Sequence, residues 1–471
     1  MKNKTLMSMT MVFCFFLLTF LFFTVIIRFM TRQILVEKLG WENQFTHIVF
    51  IGDEDMNHRF EDDPNSRSVQ INWAERYPFP SSDAEEVLST GGSLQRSIQG
   101  MVSDIEEKIT PYTSGHLLGH MKFTHIGRKY NKRIGFGSLP VKDSSGNTVI
   151  MMENGYLTYT QTAYDIDELK KLAGSMSDFS SYLKSNDIEF VYVNAASKVC
   201  RKDKQLLSGI EEYTNENADH LIELLTEREV DVLDYRPFQE QHYKDWYSSY
   251  YVTDHHWKNT TALWAAGILA EYLNTHAGFG FDLSYFEESN YRIDKKDRYL
   301  LGGQGRCVTT AIVDPEPFSR VVPRFNTDIT LQIPGKSIDV RGTYEQTMID
   351  DNLFNEIAEY SPEDFENKKD AYHTSTLSNC AWGNIHNHIT PDNKGKRILI
   401  LQDSFGWFLS SYLSMDISDT DLINLNSFTG SLRTYIRETQ PDAVILLICE
   451  RNICPFDPVS YATHTHFFDF R

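Results

Sequence analysis

The stretch Thr253-Asp254-His255-His256-Trp257 sets one carboxylate, two imidazoles and an indole side by side. In an extended segment, residues i and i+2 project to the same side with Cα atoms about 6 to 7 Å apart, so the spacing predicts that Asp254 reaches the ring of His256. His255 is then expected on the opposite side. A carboxylate that accepts the Nδ1 proton of an imidazole fixes its tautomer and leaves Nε2 free to take a proton from a nucleophile. On this reading His256 is a general base and Asp254 its orienting partner. An isolated Asp-x-His is also a common way to satisfy an ordinary histidine, so the chemistry needs a nucleophile elsewhere in the chain.

Ser404 is the candidate. Residues 397–401 read as a short buried strand, 402–406 as a turn and 407–412 as the start of a helix. In open parallel sheets ligands bind beyond the carboxyl ends of the strands, which is where Ser404 falls. The helix behind it offers backbone N–H groups and positive potential to an oxyanion forming on an attacked carbonyl. Serine between strand and helix also serves simply as a cap. Other strand ends add polar candidates: Lys198 after a strand over 188–193, and Arg451 and Asn452 after one over 443–448. Asn452 is a candidate oxyanion donor, and Arg451 and Lys198 are candidate electrostatic clamps on a substrate. Ordinary loop polarity is the plain alternative for each.

These side chains need a scaffold, and the apolar spacing supplies one. Leu169, Leu172, Met176, Phe179 and Leu183 predict a helix over 165–186, followed by the strand over 188–193. A second helix and strand follow over 218–228 and 230–233, and a further strand, helix and strand over 421–425, 430–438 and 443–448. Such alternation predicts an α/β fold, a parallel sheet with helices on both faces. The helix after the His256 motif begins near Asn259 or Thr260 and keeps Ala262, Ala265, Ala266, Leu269 and Leu273 on one face. Short strands are expected over 148–152 and 155–159. Residues 275–390 interrupt the alternation with Gly302-Gly303-Gln304-Gly305 and alternating runs over 328–333 and 337–340, and read as a strand-rich insertion. Upstream, 45–51 reads as a strand and 94–109 as an amphipathic helix.

The chain has 471 residues, 41% of them hydrophobic, enough for a large core. With 45 Lys plus Arg against 65 Asp plus Glu the net charge is −20, which argues against nucleic acid or an anionic membrane surface as the main partner. Lys4 and Arg28 bracket residues 5–27, 23 residues without a charge, the length that crosses a bilayer as a helix. A transmembrane anchor over 7–29 is expected; basic residues on both sides leave its orientation undecided. The six cysteines are scattered and read as free thiols. His386 with His388, and His464 with His466, lack a third ligand at metal-site spacing. No metal and no cofactor are expected.

Gln402 separates the serine segment from the Gly-x-Ser-x-Gly elbow of α/β-hydrolases. Asp403-Ser404 after a buried strand instead resembles the Gly-Asp-Ser block of SGNH esterases, with Gln402 in place of its glycine. The Asp254-His255-His256-Trp257 run ahead of the serine, the helix and insertion between them, and Asn154-Gly155-Tyr156-Leu157 together resemble the DHHW family. That family is related to the SGNH-hydrolase-like domains of alginate O-acetylation proteins. The resemblance covers residues 148–456 and implies an SGNH-like catalytic domain there, with Ser404 as nucleophile, His256 as base and Asp254 as its orienter. A juxtamembrane region over 30–147 would precede it and a tail over 457–471 would follow. It further implies a membrane-anchored, extracytoplasmic protein that handles acyl groups on a cell-surface polysaccharide beside a membrane-bound O-acyltransferase. Two other readings compete. One is a metal-dependent DHH phosphoesterase, which shares Asp254-His255-His256 but needs further ligands, for which Asp53 and Asp55 are the candidates. The other is a catalytically idle glycan-binding subunit that uses the same cleft.

Overall fold

The computed structural model describes residues 141–142, 147–207, 209–349, 380–389, 393–425, 427–428, 430–453 and 470. Strands β1 (Val141–Lys142), β2 (Thr148–Met151) and β3 (Leu157–Tyr159) form a small antiparallel sheet. Helix α1 (Ile166–Lys184) starts at Asp165, whose carboxylate accepts the N–H of Asp167, and buries Leu169, Leu172, Met176, Phe179 and Leu183. It is followed by β4 (Glu189–Ala195), α2 (Thr214–Thr226), β5 (Val232–Asp234) and α3 (Tyr235–His242). Helix α4 (Asn259–His276) follows the His256 motif; Lys258 stands at its N-cap, and Asn259 is its first residue rather than its cap.

Between residues 275 and 390 lie an antiparallel ribbon of β6 (Tyr291–Leu300) and β7 (Glu316–Pro323), the short α5 (Gly303–Val308) between them, β8 (Ile329–Ile333), β9 (Ile338–Gly342), α6 (Tyr344–Met348) and β10 (Trp382–Asn387). The chain then runs through β11 (Asn393–Gln402), α7 (Gly406–Leu413), β12 (Ile417–Ile423), α8 (Leu432–Thr439) and β13 (Ala443–Cys449).

The main sheet has eight strands in the order β5-β4-β13-β11-β12-β10-β8-β9. The first five are parallel to one another. β10, β8 and β9 extend them by antiparallel pairing. The sheet is therefore mixed, which corrects the all-parallel expectation. The reason is that three strands of the 275–390 region carry the sheet onward instead of folding apart from it. In the parallel half both faces are covered: Ile398, Ile400, Ile445 and Leu447 pack with α4 and α7 on one side, while Leu399, Leu401, Val444 and Leu446 pack with α1, α2 and α8 on the other. Continuous burial of this kind explains why these strands read as unbroken apolar runs.

Among the described residues no helix is long and apolar enough to cross a membrane. The expected anchor over 7–29, the strand over 45–51, the helix over 94–109, and His464 and His466 all lie outside the described residues.

Candidate active site

Ser404 stands in the three-residue link between β11 and α7, and the turn is fixed by the carboxylate before it. Asp403 accepts the N–H of Phe405 at 2.9 Å, the N–H of Cys449 at 2.7 Å and the Asn452 side-chain amide at 2.7 Å. One buried carboxylate thus ties the turn to the end of the neighbouring β13. Burial pushes the Asp403 carboxyl above its usual range, and its hydrogen bonds from Cys449, Asn452 and Phe405 work against that rise. Phe405, not Ser404, is the N-cap residue of α7, so the serine is not used as a cap. Its Oγ lies 2.6 Å from His256 Nε2.

His256 reaches that position from a closed loop. Tyr250 and Trp257 pair as an antiparallel bridge, and the six residues between them form neither helix nor strand. The Asp254 carboxylate accepts both the His256 backbone N–H at 3.0 Å and its Nδ1 at 2.5 Å. The proximity of i and i+2 therefore comes from a side-chain turn, not from the extended geometry expected. The tightened backbone also places His255 with His256 instead of opposite it: the two rings are 3.8 Å apart, and His255 Nδ1 is 3.5 Å from Asp254. Asp254 and His256 are fully buried and Ser404 is partly exposed, so the serine is the part of the chain that opens to a substrate.

The buried Phe405 packs 5.2 Å from the His256 ring and 5.1 Å from Trp257, and bridges the two arms. Gly302 and Gly303 meet the motif from the other side. Gly303 N–H donates to the second Asp254 oxygen at 2.9 Å, and Gly302 N–H donates to Thr253 Oγ1 at 3.0 Å. A Cβ on Gly302 would stand 2.3 Å from Asp254 Cβ and 2.7 Å from the Thr253 carbonyl, so only glycine fits. The Gly302-Gly303-Gln304-Gly305 run was visible in the sequence as a glycine cluster; its place against Asp254 was not.

The other expected contact residues divide. Asn452 lies beside the nucleophile turn through its bond to Asp403. Arg451 sits next to it, partly exposed, with its guanidinium 3.8 Å from the Tyr159 ring centre, and Tyr159 in turn meets His255 edge-on at 5.6 Å. Lys198, expected as a clamp on the open edge, is instead 2% exposed. Its ammonium donates to the backbone carbonyls of Leu157 at 2.6 Å and of Asp254, beneath the motif. The chain after β4 turns inward there, carrying the lysine under the loop.

A serine at the carboxyl end of a central parallel strand, bonded to an imidazole whose other nitrogen rests on a carboxylate, with helices on both faces of the sheet, is an SGNH-like arrangement on an α/β fold. Residues 156–289 match the family model of the SGNH hydrolase-like domain of the acetyltransferase AlgX. This span includes Asp254 and His256 and ends before Ser404. Among solved structures the chain is similar to PatB1 of Bacillus cereus, at 15% identity and a TM-score of 0.51 over 71% of this chain and 100% of that one. The same protein with a sulfonyl adduct gives 16% and 0.53 over 69% and 99%. A DHHW family protein from Eubacterium siraeum gives 16% and 0.47 over 69% and 96%. No curated protein matches the chain. The family match agrees with the resemblance read from the sequence, and the PatB1 likeness is one of fold.

Proposed function

We propose that the chain is an acyl-transfer enzyme working through a seryl ester on Ser404, and that it adds acetyl groups to, or removes them from, hydroxyls of a cell-surface polysaccharide. The observation that carries this is the unbroken chain from Ser404 Oγ to His256 Nε2, 2.6 Å, and from His256 Nδ1 to Asp254, 2.5 Å. Serine is a weak nucleophile at neutral pH and gains reactivity from such a base. Ser404 Oγ attacks the carbonyl carbon of the acyl donor while its proton passes to His256 Nε2. The tetrahedral oxyanion collapses, the C–O bond to the leaving group breaks, and the imidazolium returns the proton to that group. A sugar hydroxyl or water then repeats the sequence on the seryl ester and frees Ser404.

Asn452, anchored through one N–H on Asp403, has a second to offer to the oxyanion, and the N-terminal end of α7 adds positive potential. Arg451, partly exposed and stacked on Tyr159, is the proposed substrate contact. The acetyl group follows from the acetyltransferase description of the matched family; the polysaccharide, membrane anchoring, an extracytoplasmic site and a membrane-bound O-acyltransferase partner follow from the resemblance and complete the proposal. The phosphoesterase reading draws on the same motif, since donor atoms of Asp254, His255 and His256 lie within 4.8 Å of one another. Against it, both ring nitrogens of His256 are already engaged, by Ser404 and Asp254.

Incubating the protein with p-nitrophenyl acetate, with and without oligosaccharide acceptors, tests the proposal. Ser404→Ala and His256→Ala are expected to lower turnover by similar factors of about a thousandfold or more, because groups acting as a unit are not additive. Asp254→Asn is expected to be milder but still damaging. Chelators should leave the rate unchanged. Loss with EDTA and rescue by manganese would move the assignment to the phosphoesterase, and glycan binding without turnover in the unmodified protein would move it to the idle subunit.

A further inference from the structure

The loop carrying Asp254 has no strand or helix to satisfy its backbone, yet it is buried, and buried amide groups need partners. The partners are two charged side chains together with the backbone N–H groups of Leu157, 3.0 Å from the Val252 carbonyl, and Gly305. Glu316, at the start of β7, accepts the N–H of Val252 at 2.7 Å, the N–H of Thr253 at 2.6 Å and the Thr253 hydroxyl at 2.5 Å. Lys198 donates to the carbonyl of Asp254 and approaches that of Val252 at 3.4 Å, while holding Leu157 of β3 at 2.6 Å and Gln304 at 3.4 Å. The remaining carbonyl, of Thr253, accepts the Gly305 N–H at 2.7 Å. A buried anion thus holds the donors of Val252 and Thr253, and a buried cation holds the Asp254 carbonyl and shares that of Val252 with the Leu157 N–H.

We infer that Lys198 and Glu316 are positioning residues, a buried pair that sets the backbone of residues 252–254 and so aims the Asp254 carboxylate at His256. This rests on the reading of Ser404 as nucleophile and His256 as its base. Burial lowers the Lys198 ammonium and raises the Glu316 carboxyl, and the attraction of each for the other opposes both shifts. Removing one partner leaves the other buried and uncompensated; removing both relieves that cost without restoring the lost backbone contacts. Stability and alignment therefore separate in the double variant. A Gln at 316 must turn its amide donor toward one of the N–H groups the carboxylate now accepts, so Glu316→Gln disturbs the loop without changing side-chain size.

The full chain is treated with phenylmethanesulfonyl fluoride from pH 5 to 9, and covalent labelling is followed by intact mass alongside thermal melts. Unmodified protein is expected to take one sulfonyl group, and Ser404→Ala none. Lys198→Met and Glu316→Gln should each label about tenfold more slowly or worse, the scale of one lost buried hydrogen bond. The acid limb of Glu316→Gln should move to lower pH by about half a unit, because a misaimed Asp254 and the lost anion both favour the imidazolium of His256 less, whereas in Lys198→Met the lost cation opposes that shift. His255 and Asp403, which also face that ring, are unchanged in both variants. With p-nitrophenyl acetate the fall should be in kcat and not in KM. The double variant should recover melting temperature over Lys198→Met but not labelling rate.

Folded single variants with unaltered labelling rate and pH profile would overturn the inference, as would a double variant that recovers rate and melting temperature together. If Lys198→Met does not fold, Glu316→Gln carries the same test. Absence of labelling in the unmodified protein would overturn the Ser404 assignment, and the positioning role with it. Normal labelling there with unaltered variants removes the positioning role alone.

Discussion

The two arms of the site reach the same precision by different means. Ser404 is delivered by regular structure: β11 is hydrogen-bonded on both sides, to β12 and β13, and only the final turn is trimmed by Asp403. The Asp254 and His256 arm lies in an irregular loop, held by Glu316, Lys198 and three glycine N–H groups drawn from elsewhere in the chain. A ladder shares its geometry over many equivalent bonds, whereas a loop held by single side chains concentrates it in a few. The second arm should be the more fragile in catalysis.

Gly302→Ala tests that contrast most severely. The added carbon would meet Asp254 Cβ at 2.3 Å and Asp254 Oδ2 at 2.4 Å, and the neighbour that must yield is the catalytic carboxylate itself. A fall of about a hundredfold in kcat for ester hydrolysis is expected, the scale of a displacement near 1 Å. A near-normal rate would show the loop to be less tightly set than described.

On the other arm Gly406→Ala meets Gln402, at 2.4 Å from Oε1 and 2.6 Å from Cβ, a side chain outside the catalytic chain that can be cut back. About a tenfold loss is expected, with recovery when Gln402→Gly is added, which removes the Cβ as well as the amide. Failure of the second change to restore kcat would mean that α7 itself had moved.

The smallest effect concerns stability. Glu450, directly after β13, is fully buried, with one oxygen on the Ser197 N–H at 2.8 Å and the other 3.6 Å from Arg236. Burial lifts its carboxyl from the usual 4.5 to about 7, against the opposing pull of Arg236 and Ser197. Between these values the folded state holds a proton that the unfolded chain has released, so stability falls as pH rises through this window, and the cost is complete above the folded value. Glu450→Gln should flatten this trend. Thermal melts are expected to coincide with those of the unmodified protein near pH 4, and to exceed them by a few degrees at pH 8. Parallel melting profiles across the range would exclude a shifted Glu450.

These differences follow what the sequence can display. β13 is Ala-Val-Ile-Leu-Leu-Ile-Cys, a run that only a strand covered on both faces requires, and α1 repeats its apolar residues at helical spacing. The parallel half of the sheet is legible for that reason. β10 and β9 alternate or are largely exposed, and nothing local says that they extend the same sheet. In the site, Asp254, His256 and Ser404 are visible by residue type and by their place at a strand end. Lys198 is not, because a lysine after a strand is tolerable in the interior only where carbonyls converge, and here they come from residues 157 and 254. Glu316 gives no signal at all; its relevance arises from the β6–β7 ribbon bringing it to the loop.

The position of β13 has a consequence for how the chain is made. It comes later in sequence than every other described strand, yet it lies between β4 and β11. As the polypeptide emerges from the ribosome, β4 with β5 and β11 with β12 can each pair, but the two pieces share no bonded edge until Ala443–Cys449 arrives. Until then both expose apolar strand edges, the state most open to wrong association, and the contacts that close the sheet are among the most distant in the chain. Folding of the domain is therefore governed by a late, central insertion, and a nascent chain halted before residue 443 carries every residue of the Ser404, His256 and Asp254 chain without a sheet to hold them together.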